Sequence, residues 1–158
     1  MGARMLRLTA IIIAITVAFL LVLSSVWGFF GSQADASTET VGVRLLAEAQ
    51  TRAGDWYVYG SDGPETFDCS GLVYWAAHQL GIPMPRDTYE MLSQGVAEGI
   101  LVPTGHPAAG DLAFYGSGHV EIVDRGHDVT WGAQQAGTRV GAHPWNSYWH
   151  PTMYYAVR

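Results

Sequence analysis

The hydrophobic residues of this chain begin with one long uninterrupted run. Residues 8–30 form a stretch of 23 residues without a charged side chain. About 20 helical residues cross a bilayer core, so the run is long enough to span a membrane. Arg4 and Arg7 precede it, and no Lys or Arg follows until Arg44. This asymmetry predicts that the N-terminus lies in the cytoplasm and the rest of the chain outside.

The apolar run has two interpretations. A cleaved signal peptide is favoured by the small residues Ala34-Asp35-Ala36, which resemble a cleavage site. A retained membrane anchor is favoured by the length of the run, since signal cores usually have about 7–15 apolar residues. We expect the anchor. In either case residues 1–36 are a signal-anchor or signal peptide with a short linker, and residues 37–158 are one domain that folds alone as a monomer.

The rest of the chain shows shorter patterns. Helical spacing of apolar residues predicts helices over 41–53, 69–80 and 88–94, the last two capped by Asp68 and Asp87. A short aromatic piece at 56–59 reads as extended chain. Strands are predicted over 112–115, 119–123, 129–131 and 154–157. Helices that precede a cluster of strands predict an α+β fold, with N-terminal helices packed on a small antiparallel sheet.

Composition excludes some classes of function. The formal net charge is −6, and no basic stripe is present, so we expect no nucleic-acid partner. The titratable residues do not follow the usual spacing of metal ligands. We therefore expect neither a metal nor another cofactor.

Cys69 is the one cysteine of the chain, so it cannot form an internal disulfide. It is a buried bystander, half of an intermolecular bridge, or a reactive thiol. Its position favours the third interpretation, because it follows Asp68 at the predicted first turn of a helix. The positive partial charge of a helix N-terminus stabilises a thiolate.

A reactive thiol also needs a base, usually a histidine. His78 lies more than two turns along the same predicted helix and points away from Cys69. Other histidines fall in Gly-, Pro- or Asp-rich loops, where we expect them to be solvated: His106, His127 and His150. His119 differs, since it follows the turn Gly116-Ser117-Gly118 and opens a predicted strand. A rigid strand that follows a flexible turn can hold the side chain of a base in a fixed position.

Several short segments together resemble a known family. They are YVYG at 57–60, FDCSGLV at 67–73, GIPMPR at 81–86, GDLAFY at 110–115 and GHV at 118–120. In this order and spacing they are similar to the NlpC/P60 family of cell-wall endopeptidases, which have a papain-like α+β core. The similarity extends from about residue 41 to the C-terminus.

The resemblance implies roles for individual residues. Cys69 matches the family's nucleophile and His119 its general base. Positions that shape the substrate pocket match Tyr57, Asp68 and Ser70. In relatives, the Asp and Ser help to hold the amine end of the stem peptide, and a carboxylate suits an ammonium group. Arg86 matches a family arginine, and it serves either a structural ion pair or substrate binding.

The sequence departs from the family pattern at two positions. The third catalytic residue is usually polar and lies about twelve residues after the base, where this chain has Trp131. Glu121 stands where a Gly is usual. Polar alternatives for the third residue are Gln134, Thr130, Gln135 and the more remote His143. We favour Gln134, because the segment WGAQQAG would bring it just beyond the strand end.

The resemblance implies hydrolysis of an amide bond in the stem peptides of peptidoglycan, next to D-glutamate, by an extracytoplasmic enzyme anchored by its N-terminal segment. Two alternatives remain open. One is an amidase or an acyl or peptide transferase on the same fold, since other nucleophiles than water can intercept a thioester. The other is a non-enzymatic wall-binding component with a decayed site.

Overall fold

The computed structural model describes residues 39–125 and 128–158. The helices are α1 (Val41–Gln50), α2 (Cys69–Gln79) and α3 (Thr88–Glu90), the last followed by a π-helical turn (Met91–Gly95). The strands are β1 (Trp56–Tyr57), β2 (Thr66–Phe67), β3 (Leu101–Pro103), β4 (Leu112–Phe114), β5 (Val120–Val123), β6 (Val129–Gly132), β7 (Gly141–Pro144) and β8 (Met153–Val157).

Two sheets form from these strands. The short β1 and β2 pair in parallel. The other six form one sheet in the order β3-β8-β4-β5-β6-β7, in which every neighbouring pair is antiparallel. Helix α1 packs on α2 and on β6, and α2 packs on β5. The predicted α+β fold, with helices packed on an antiparallel sheet, is therefore confirmed for the described residues.

The core lies between the helices and one face of the sheet. Helix α1 contributes Leu45 and Ala49, and α2 contributes Leu72; none of them is exposed to solvent. Phe114 from β4 and Ile122 from β5 face them with no exposed surface. Burial of such a side chain stabilises the fold by about 1.5–3 kcal/mol. This core fixes α2 against β5, and the ends of these two elements carry the candidate site.

Some predicted bounds differ from those of the structure. Helix α1 ends at Gln50 rather than at residue 53, because Thr51 caps it by bonding back to the carbonyl of Glu48 at 2.7 Å. The third predicted helix has only one α-helical turn before its backbone widens to π-type pairing. The strands β2, β3 and β7 were not predicted.

None of the helices among residues 39–125 and 128–158 is long and apolar enough to cross a membrane. The predicted spanning segment, residues 8–30, lies outside the described residues. Its role as an anchor or as a signal peptide therefore stays a prediction.

Candidate active site

The start of α2 places the cysteine. Asp68 is the N-cap of the helix, and its Oδ1 accepts a hydrogen bond from the backbone N–H of Gly71 at 2.6 Å. Cys69 is therefore the first residue of the helix and lies near its positive end. A Cβ on Gly71 would overlap the carbonyl oxygen of Ser61, so glycine is required where the preceding loop crosses the helix. Cys69 is 9% exposed.

The start of β5 places the histidine. His119 immediately precedes the strand and is 9% exposed. It lines the same cleft of about 390 Å³ as Cys69. The ring of Tyr115 lies 5.3 Å from the His119 ring and that of Trp149 5.4 Å away, centroid to centroid. Two aromatic rings thus limit the movement of the imidazole.

A buried carboxylate contacts the imidazole. His119 Nε2 lies 3.1 Å from Glu121 Oε1, and Glu121 has no exposed surface. Thr130 donates a hydrogen bond to the other carboxylate oxygen, Oε2. The hydroxyl of Tyr115 in turn lies 2.9 Å from Thr130 Oγ1.

These neighbours change the charge of His119. Burial opposes its positive form, but hydrogen bonds and negative charge from Cys69 and from Glu121 outweigh burial and raise its pKa from 6.5 to about 9. An imidazolium beside a thiol stabilises the thiolate. The imidazole beside Cys69 therefore carries a positive charge at neutral pH.

On the helix side, a second carboxylate lies next to the pair. Arg86 binds Asp68 through two nitrogens, Nη1 to Oδ1 at 3.1 Å and Nη2 to Oδ2 at 3.0 Å. Its Nη1 also donates to Ser70 Oγ at 3.1 Å, and its Nε to Asp62 Oδ2 at 3.3 Å. Asp68 also accepts from the backbone N–H of Gly60 at 2.9 Å. This cluster ties the loop before α2 to the segment after it.

The comparison with known proteins decides the family. The model of the NlpC/P60 family matches residues 54–158. The chain belongs to the NlpC/P60 family. It is 36% identical over 110 residues to the "Probable endopeptidase Cgl2188" of Corynebacterium glutamicum, over 68% of this chain and 50% of that protein. It is 40% identical over 73 residues to the "Bifunctional muramidase/DL-endopeptidase CwlT" of Bacillus subtilis, over 46% of this chain and 21% of that protein.

Solved structures agree with this assignment. The NlpC/p60 domain of the peptidoglycan hydrolase SagA superposes with a TM-score of 0.62 at 29% identity, over 73% of this chain and 98% of that domain. Rv1477 of Mycobacterium tuberculosis gives a TM-score of 0.58 at 26% identity, over 74% of this chain and 61% of the other. Among the curated relatives, the chain spans half of the corynebacterial protein and about a fifth of the Bacillus one.

Within this NlpC/P60 domain, most of the predicted site residues lie together. One cleft is lined by Tyr57, Asp68, Cys69, Ser70, Arg86 and His119. Burial and the negative charges of Cys69 and Asp68 raise the pKa of Tyr57, so its hydroxyl keeps its proton and can donate. Of the two roles considered for Arg86, the structure shows the ion pair. The roles of these residues in catalysis stay predictions.

The expected contact of Gln134 is not found. Gln134 lines a second pocket beside His119, but it makes no hydrogen bond to the ring within the described residues. The position at the ring nitrogen is taken by Glu121. Trp131, which lies twelve residues after the base, points the other way, and its Nε1 donates to the carbonyl of Ala49 on α1 at 3.3 Å.

The other candidates for the third residue have different partners. Thr130 contacts Glu121 rather than His119. The backbone N–H of Gln135 bonds to Thr138 Oγ1 at 3.2 Å, and His143 Nε2 lies 3.2 Å from the carbonyl oxygen of Gly132. Sequence reasoning noted Glu121 but gave it no role. The available signal was a charge inside the apolar strand His119-Val120-Glu121-Ile122-Val123, since a buried charge needs a partner.

Proposed function

We propose that this chain hydrolyses an amide bond in the stem peptides of peptidoglycan, with Cys69 as nucleophile and His119 as general base. The observation that carries the proposal is that Cys69, at the first turn of α2, and His119 line the same cleft. Nucleophile and base within reach of each other, with a third group on the base, is the usual arrangement of thiol hydrolases. The endopeptidase and peptidoglycan-hydrolase names of the relatives support the choice of substrate.

The first half of the reaction forms a thioester. The Cys69 thiolate attacks the carbonyl carbon of the scissile amide, and backbone N–H groups at the start of α2 stabilise the oxyanion. The His119 imidazolium then gives its proton to the amide nitrogen. The C–N bond breaks, the amine leaves, and the acyl group remains on sulfur.

The second half restores the enzyme. Neutral His119 takes a proton from a water molecule, which attacks the thioester carbonyl. The C–S bond breaks, the acid product leaves, and the proton that His119 accepted restores the thiolate–imidazolium pair. An amine in place of water would give a transferase product instead.

The helix side of the cleft supports recognition of an amine end. Asp62, Asp68 and Arg86 together carry one net negative charge, although Asp68 itself is paired. The side chain of Asp62 is 51% exposed and faces the same group of charges. A net negative cluster attracts the free ammonium of a stem peptide. Binding of that end places the following residue, D-glutamate in peptidoglycan, at Cys69.

The proposed site of action is outside the cytoplasm. Residues 8–30 would hold the domain at the membrane, with Arg4 and Arg7 on the cytoplasmic side. Intact-mass measurement of protein from the membrane fraction tests this. A mature N-terminus at Ser37 would show a cleaved signal and a secreted protein.

Digestion of defined muropeptides tests the activity. Wild-type protein and Cys69→Ala are incubated with stem peptides that have a free or an acetylated N-terminus, and new termini are identified by mass spectrometry. We expect cleavage after D-glutamate, only by wild type, and faster with the free amine. Products joined to an added amine would indicate a transferase. No product from any muropeptide would refute the proposal.

A further inference from the structure

Glu121 is the most completely buried charged group of the described residues. It lies on β5, two residues after His119, so both side chains leave the same face of the strand. Its exposed fraction is zero. A buried carboxylate is retained only where hydrogen bonds and opposite charge compensate the loss of water.

The contacts of Glu121 determine which atom donates in each hydrogen bond around it. A carboxylate only accepts, so His119 Nε2 must carry a hydrogen toward Oε1, at 3.1 Å. Thr130 gives its single hydroxyl hydrogen to Oε2. The Tyr115 hydroxyl, 2.9 Å from Thr130, is then the donor in that contact. With Nε2 occupied, Nδ1 is the ring nitrogen left free to exchange a proton with Cys69.

The neighbouring strand leaves room for this carboxylate. The register of β5 with β6, Ile122 opposite Trp131, places Gly132 across from Glu121. A Cβ on Gly132 would lie 2.5 Å from Glu121 Cγ, and the three nearest atoms all belong to Glu121. The backbone of Gly132 is not in the left-handed region. The Glu121 side chain on β5 therefore occupies the space that a side chain at position 132 of β6 would fill.

We infer that Glu121 is the positioning residue of the catalytic pair, that it fixes the ring and tautomer of His119, and that Gly132 is glycine because Glu121 takes its place. The inference rests on the proposed thiol chemistry. In the family pattern the third residue would be a polar side chain on β6, the strand beside β5. In this chain we assign its role to a carboxylate on β5, the strand that follows His119.

Titration of His119 tests this without any substrate. In Glu121→Gln the shape and the acceptor oxygen remain but the charge is lost; in Glu121→Leu the hydrogen bond is lost as well. Besides Glu121, the titratable groups near His119 are Cys69 from α2, Tyr115 after β4 and His143 from β7, and these variants leave all three unchanged. We expect the pKa of His119, followed by NMR with His119→Gln for assignment, to fall from about 9 toward 6.5 in both variants.

The alkylation rate of Cys69 should fall together with the pKa of His119. Iodoacetamide should label Cys69 more slowly at pH 7 in Glu121→Gln, and more slowly still in Glu121→Leu. On a cleaved muropeptide, kcat should fall on the order of 10²-fold in Glu121→Leu with little change in KM, because the ring is no longer held in its reactive position. Ile122→Val, a core change on the same strand, should alter neither titration nor labelling.

Exchanging Glu121 and Gly132 between the two strands is the sharper test. Gly132→Ala should lower the labelling rate, because its Cβ displaces Glu121. Glu121→Gly should lower it too, and Glu121→Gly with Gly132→Glu should recover part of it, since the carboxylate returns from the facing strand. Wild-type titration and labelling in folded Glu121→Gln and Glu121→Leu would overturn the inference.

Failure of the proposed substrate is a separate result. If wild type cleaves no muropeptide but the titration and labelling shifts occur, Glu121 positions a reactive pair that has another substrate. If wild type cleaves and the shifts are missing, the enzyme works without this carboxylate. If Glu121→Leu does not fold, Glu121→Gln alone decides, since it preserves the volume of the side chain and one acceptor oxygen for His119.

Discussion

The two halves of the cleft each place a carboxylate next to the proposed catalytic pair, Cys69 and His119, but the two carboxylates have different partners. On the helix half, Asp68 faces the guanidinium of Arg86, which stays charged at every pH that the fold tolerates. On the sheet half, Glu121 faces the imidazole of His119, which has a pKa of about 9 in the fold and therefore loses its charge at moderately alkaline pH. Asp68 also caps α2, whereas the hydrogen bonds of Glu121 go to side chains.

This difference separates stability from reactivity. A carboxylate with a permanent partner and two backbone donors mainly holds the helix start in place. A carboxylate with a titratable partner mainly sets the proton on that partner. We therefore expect substitutions on the helix half, apart from Cys69, to affect the free energy of unfolding and the binding of the substrate's amine end. Substitutions on the sheet half should affect the reaction rate and its pH dependence.

The largest effect should come from the proposed nucleophile. Cys69→Ser should lower turnover by roughly 10⁴–10⁶-fold and leave the fold and substrate binding nearly unchanged. A hydroxyl has almost the same shape but is too weak an acid for the helix end and His119 to hold as an anion. Steady-state cleavage and thermal unfolding measure both quantities.

Alkylation gives an independent check on Cys69. It is the one cysteine of the chain, so any label taken up by native protein must be on it. Label that enters only after unfolding would show a buried structural thiol. Full activity of Cys69→Ser would remove the basis for a cysteine mechanism.

The pH dependence of stability should come from the sheet half. The pKa of His119 is raised from 6.5 to about 9 in the folded protein. Its contribution to stability is therefore complete below pH 6.5 and is lost as the pH rises through 9. A fall of up to about 3 kcal/mol in the free energy of unfolding is expected over this window.

Urea unfolding at several pH values between 6.5 and 9 measures this fall, with His119→Gln as the control. The control should show a flatter profile. An equal slope in both proteins would mean that other groups produce the pH dependence, and that the His119–Glu121 contact is not maintained in solution.

On the helix half, Asp68→Ala should cost stability. The change removes the N-cap of α2 and leaves Arg86 without its main partner, a loss of about 2 kcal/mol after allowance for the partial exposure of Arg86. Asp87→Ala is the matched control. Asp87 caps α3 by accepting a hydrogen bond from the backbone N–H of Glu90 at Oδ1, at 2.8 Å, but it lies on a short exposed turn. It should cost about 0.5 kcal/mol. Equal losses in urea unfolding would show that the ion pair contributes nothing.

The helix half could be predicted from sequence because its signals are local. Asp68, Cys69 and Gly71 lie within four positions, and capping depends on that spacing alone. The sheet half depends on which residues oppose each other across strands, which no local pattern contains. A count of twelve residues from His119 reaches Trp131, but the pleat turns that side chain toward α1 and leaves Thr130 and Gly132 facing Glu121.

The two strands of the six-stranded sheet that were missed have the same cause. Residues Leu101–Pro103 end in a proline, and Gly141–Pro144 begins with a glycine and ends in a proline, both poor strand signals. Each is an edge strand that pairs on one side only, β3 with β8 and β7 with β6. Their neighbours hold them in the sheet, so their own sequence does not have to favour it.

The smallest effect should come from Gln134. Its side chain lines the pocket beside His119 but does not bond to the ring in the described structure, so Gln134→Ala should change kcat by no more than a few-fold. His119→Ala removes the proton carrier and should cost at least about 10²–10⁴-fold. Gln135→Ala is the matched control, because Gln135 lines the same pocket. If Gln134→Ala were folded and as inactive as His119→Ala, Gln134 rather than Glu121 would be the residue that orients the base.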